Sequence, residues 1–116
     1  MLAREVFIWV EQPGHAAVTS TVTLTEILVK PYRTLTEREV RSMYDLLLIY
    51  PNLEWIPPDL EIADIAASLR ARYKLETPDA LQAATAIQSG ATGLVTNDAS
   101  FERIPVFETL LLDSLL

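Results

Sequence analysis

The sequence predicts a three-layer α/β domain on a mainly parallel sheet, and three observations point there. Short β-type apolar runs alternate with longer segments of helical period along the whole chain. Turn-forming residues, Pro13-Gly14, Pro57-Pro58 and Gly90, separate them. One helical segment is rich in alanine (Ala80, Ala83, Ala84, Ala86) and can pack close to a sheet. With 116 residues, half of them hydrophobic, residues 1–116 are expected to form one domain with an ordinary core.

Residues 2–12 read as a helix with Val6, Trp9 and Val10 on one face and Phe7 beside it, ended by Pro13-Gly14. Residues 16–20 (AAVTS) form a short β-type run. Residues 23–30 (TLTEILVK) follow as a helix that Pro31 is expected to stop. Residues 36–50 form the next helix, with Thr36 as N-cap and Glu39 three positions on completing a capping box. A strand over 53–56 closes at Pro57-Pro58. Asp59 caps a helix to about Tyr73, whose apolar face is Ile62, Ile65, Ala66, Leu69 and Tyr73. Thr77 is expected to cap the alanine-rich helix, with Pro78 at its first position, where a missing N–H costs nothing. Gly90 ends that helix, residues 93–96 (GLVT) read as a buried strand, and 108–112 as the last strand.

Composition narrows the function classes. With no cysteine there is neither a disulfide framework nor a zinc–thiolate site, and a reducing cytoplasm is the natural compartment. No apolar run approaches the roughly 18 residues a membrane span needs, so no membrane partner is expected, and the start shows no signal peptide. Nine basic against sixteen acidic residues give a net charge of −7, which by itself opposes nucleic-acid binding. Acids gathered around a divalent cation would remove that objection, because the ion's charge is what a phosphate meets.

Three acids suit such a site. In a parallel α/β sheet, ligands bind beyond the carboxyl ends of the strands. Asp98 follows the strand GLVT directly, although Asn97-Asp98 is also an ordinary turn pair. Asp79 lies in the first turn of its helix, where the helix dipole alone would favour it. Glu26 stands among Leu24, Ile27 and Leu28, early in the helix after AAVTS, or is simply an exposed early-helix Glu. Were the three to converge, repulsion would be roughly 4 kcal/mol per pair at an effective dielectric near 20. A hard cation held by carboxylate oxygens removes that repulsion and supplies a reason for the arrangement.

The blocks TSTVTLTEIL (19–28), TPDALQAATAI (77–87) and GLVTNDASF (93–101) resemble, in order and separation, the three later signature blocks of PIN-domain ribonucleases of the VapC toxin type. The helices over 36–50 and 59–73 fit the same pattern, IPVFETLLLD resembles that family's last strand, and the likeness spans about residues 2–113. The resemblance implies a PIN-like fold and hydrolysis of RNA phosphodiester bonds with Mg2+ or Mn2+, in which Glu26, Asp79 and Asp98 are the metal-site acids. Thr96 and Asn97 become candidates for orienting them, and Ser20 for contacting the scissile phosphate, although a strand-end hydroxyl more commonly caps backbone. As partners it implies RNA, a small antitoxin protein and a second copy of the chain.

Two departures from the family pattern matter. The family opens with a strand ending in Asp, central in its sheet, and nothing in residues 1–15 supplies it. The chain therefore reads as N-terminally truncated relative to the family, lacking one metal-site acid and leaving a gap between the strands at 16–20 and 93–96. Gln82 stands where related toxins often carry His, and Gln cannot act as a base. A catalytically inactive relative that works as a binding module is the alternative reading.

The other features are plainer. His15, the single histidine, reads as a turn residue. Trp9, Trp55 and the four tyrosines do not interleave with a basic patch, so no stacking platform for single strands is expected. Lys30, Arg33, Arg70, Arg72 and Lys74 could reach a substrate backbone or be solvated helix ends. Phe7, Trp9, Leu46, Leu47 and Ile49 exceed what a small incomplete sheet can cover, and predict at least a dimer.

Overall fold

The computed structural model describes residues 8–91, 93–96 and 108–111. In chain order these form helix α1 (described over 8–11), strand β1 (Ala17–Ser20), helix α2 (Thr21–Thr34), helix α3 (Glu37–Leu48), strand β2 (Leu53–Ile56), helix α4 (Leu60–Tyr73), helix α5 (Thr77–Gln88), strand β3 (Gly93–Thr96) and strand β4 (Glu108–Leu111). Alternation of strands and helices is thus as the sequence predicts. Val6, Phe7 and the rest of the first predicted helix before residue 8 lie outside the described residues, as does Leu112.

Strand pairing among the described residues is parallel. β1 pairs with β2, Ser20 opposite Ile56, and β3 pairs with β4, Thr96 opposite Leu111. Among the described residues these are two separate two-stranded sheets, with no ladder joining β1 to β3.

The apolar core lies where α4 packs on α5. Ile62, Ala66 and Leu69 from α4 meet Ala80, Ala83, Ala84 and Ala86 from α5, with Leu75 from the connecting turn. The predicted α4 face is correct: Ile62, Ala66 and Leu69 are buried, and Ile65 and Tyr73 pack against the cluster. Alanines let the helix backbones approach, and Lys74 in the left-handed region (φ 55°) turns the chain from α4 into α5. Arg70 Nε donates to the Leu75 carbonyl across that turn at 3.0 Å.

Local capping explains most boundaries. Thr36 and Glu39 form the reciprocal capping box at α3, and Asp59 accepts from Ile62 N at 2.8 Å at α4. The Ile62 N–H, with Gln88 second, holds the Asp59 carboxyl below the usual carboxylate range.

Three expectations need correction. Helix α2 begins two residues before the predicted start, because Ser20 caps it, accepting from Val22 N at 3.1 Å. It also passes Pro31 instead of stopping there. Proline removes one intrahelical bond and the helix closes within a turn, where Leu35 N donates to the Pro31 carbonyl at 2.8 Å. At α5 the N-cap is Glu76, with no side-chain cap bond, and Thr77 is already helical. Trp9, expected among the apolar residues that the sheet does not cover, is 52% exposed and stacks on His15 (centroids 3.9 Å apart, planes at 18°).

Asn52 is a structural residue that composition alone did not single out. Its left-handed backbone (φ 61°) turns the chain into β2, and its Nδ2 donates to the carbonyls of Val10 (2.8 Å) and Gln12 (3.2 Å). Ala17 N donates to its carbonyl at 2.9 Å, so one residue ties the end of α1 to the start of both strands.

Candidate metal centre

Helix α2 starts at the carboxyl end of β1, because Ser20 is both the last residue of that strand and the cap of the helix. Ser20 has no exposed surface, and its hydroxyl serves backbone. That is the capping role which the sequence offered as the commoner one.

In the first turn of α2, Thr23 Oγ1 receives two hydrogen bonds. One comes from Thr19 Oγ1 of β1 at 2.9 Å, the other from Gln82 Nε2 of α5. Gln82 is in the second turn of α5, so the N-terminal turns of α2 and α5 meet at the carboxyl end of β1. Glu26 is three residues after Thr23, and Asp79 three residues before Gln82. Residues three apart share a helix face, so each acid lies about one turn from the contact, on the face that makes it. Glu26 is exposed and Asp79 half-buried.

The structure therefore brings together the two helices that carry Glu26 and Asp79. Asp98 and Asn97 lie outside the described residues, and of Thr96 only the backbone, at the carboxyl end of β3, is described. Among the described residues no three His, Cys, Asp or Glu side chains gather as a metal site. The donor chemistry fits a hard cation nonetheless: both acids are carboxylates, the chain has no thiol, and its one histidine stacks on Trp9.

Thr23 at this contact was passed over by sequence reasoning, and Gln82 was weighed only as a residue unable to act as a base. A faint signal was present, since each stands three positions from a predicted acid. Of the basic candidates, Lys30, Arg33, Arg72 and Lys74 are exposed, and Arg70 is also exposed but holds the α4–α5 turn. No helix among the described residues is long and apolar enough to cross a membrane.

Comparison with known proteins bears on the same elements. The PIN domain family matches residues 2–106. The fold is similar to that of VapBC2 from Rickettsia felis bound to a DNA fragment from their promoter (TM-score 0.71, 22% identity, 94% of this chain and 83% of that one). It is also similar to a DNA-bound VapBC from Salmonella typhimurium (TM-score 0.70, 22% identity, 96% and 84%). A toxin–antitoxin complex from Klebsiella pneumoniae is similar at 28% identity (TM-score 0.66, 91% and 81%). No curated protein matches the chain.

Proposed function

The chain belongs to the PIN domain family, and on that premise we propose that it is a divalent-metal-dependent ribonuclease, the toxin of a toxin–antitoxin pair, which hydrolyses RNA phosphodiester bonds. The observation that carries this reading is the family match over residues 2–106, supported by the likeness to toxin–antitoxin complexes. Glu26, Asp79 and Asp98 hold the cation through carboxylate oxygens, and Thr96 and Asn97 orient them. Bound Mg2+ or Mn2+ supplies charge neutralisation at the phosphodiester and a more acidic water. Ser20 contributes by fixing where α2, and with it Glu26, begins. In a protein of net charge −7 the bound cation offsets the repulsion between the acids and the RNA phosphates, so RNA affinity should rise with the metal. The protein partner is an antitoxin, the working form a homodimer, and the compartment the cytoplasm.

The proposal includes a strand between β1 and β3 that ends in a fourth acid, and takes residues 1–116 as one domain. Strands β1 and β3, which no ladder joins among the described residues, support it. They also favour a second reading, a catalytically inactive chain that binds partners, because an unpaired edge takes an added strand.

RNA cleavage in Mn2+, with and without chelator, tests the proposal. The chain is expected to cut poorly or not at all, since misplacing a reacting group by about 1 Å costs on the order of 100-fold. A version extended by a strand ending in Asp is expected to cut, and to lose activity on chelation or on Asp79→Asn. Cutting that survives chelation, or an extended form that never cuts, contradicts it. An unextended chain as fast as the extended one contradicts the role given to the fourth acid.

A further inference from the structure

The apolar cluster that joins α4 to α5 contains no residue of α2. Helix α2 buries a single residue, Leu28, and leaves Ile27, Val29 and Tyr32 exposed. The register of α2 against α5 is therefore not fixed by that core. What spans the two helices is the hydrogen bond from Gln82 Nε2 to Thr23 Oγ1, between residues 59 apart in sequence. Thr19 Oγ1 continues it onto β1 at 2.9 Å, so one short polar chain ties strand, α2 and α5 together. Its members are half-buried, where such bonds are stronger than in water. A hydroxyl oxygen accepts at most two hydrogen bonds, and Thr23 Oγ1 accepts two, so its acceptor capacity is filled.

We propose that Gln82 and Thr23 are positioning residues of the metal site: their bond sets α2 on α5 so that Glu26 and Asp79, each about one turn away, face the same cation. This rests on the proposed metal-binding role of the two acids. Gln82 acts here only as a donor with a side chain long enough to reach α2. It moves no proton and touches no metal.

Mn2+ affinity, measured by titration calorimetry without RNA, tests this apart from activity. Gln82→Leu and Thr23→Val are each expected to raise the Mn2+ Kd roughly 10-fold, as loss of partners that orient ligands does. Thr23→Ser keeps the hydroxyl and should stay near wild type. The double variant should be no worse than either single one, because both remove the same bond. Gln88→Leu, which breaks the bond from α5 to Asp59, should leave the Kd unchanged whatever it does to the melting temperature. If Gln82→Leu does not fold, Gln82→Met, similar in length and without a donor, takes its place. A Kd unchanged in Gln82→Leu and Thr23→Val, while Glu26→Gln and Asp79→Asn raise it, overturns the positioning role and leaves the metal site standing. A Kd indifferent to Glu26→Gln and Asp79→Asn overturns both.

Discussion

Ile62 has no exposed surface and sits where α4 meets the alanine face of α5. Backbones drawn together by alanines cannot collapse further, so Ile62→Ala leaves a cavity and should cost about 2–5 kcal/mol in urea unfolding. Asp59, three residues earlier, holds the N-terminus of the same helix. Its carboxyl is depressed in the folded state, so its contribution is full above the ordinary value near about 3.9 and disappears as pH falls through the depressed value. Asp59→Ala should lower the melting temperature at pH 7, and the gap to wild type should close on acidification below that range. A gap that persists at pH 2 would contradict the capping role. Caps such as Asp59 and Thr36 were legible in the sequence because both partners lie within one turn. The bond between Gln82 and Thr23 was not, since no local pattern relates residues so far apart.

At the scale of elements, the parallel strands and helices were legible because hydrophobic period and turn residues are local signals. Pro31 misled because proline's penalty is one bond and a clash, not a prohibition, and near a helix end few bonds remain to lose. Pro31→Ala should accordingly stabilise the protein, by at most about 3 kcal/mol, with the helix end unchanged. Thr36→Ala removes the hydroxyl that accepts from Glu39 N, leaves the backbone N–H that donates to the Glu39 carboxylate, and should cost about 1 kcal/mol. Chemical denaturation of the two variants checks both figures. That β1 and β3 do not pair is a fact about tertiary arrangement: the strands were visible in the sequence, and the resemblance to PIN-domain proteins was what pointed to a gap between them.

The whole molecule presents apolar surface that its own core does not use. Leu46 is 64% exposed and Ile49 74%, at the end of α3, while Trp9 is exposed on α1. Together with β1 and β3, each of which pairs with one strand among the described residues, this should drive association, and light scattering at micromolar concentration should report at least a dimer. A compact monomer would contradict that. Mn2+ at about 100 times its Kd should stabilise the fold by roughly 2.7 kcal/mol, seen as a rise in melting temperature. Two of the three proposed acids stand on helices that touch, and the third follows β3, outside the described residues. The most direct measurement is the position of Mn2+ in crystals of the protein, read from its anomalous scattering. The account expects one peak within coordination distance, about 2.1 Å for a Mg2+-like cation, of carboxylate oxygens from Glu26, Asp79 and Asp98 together. A peak that lies away from these three carboxylates, or none at saturating Mn2+, would contradict it.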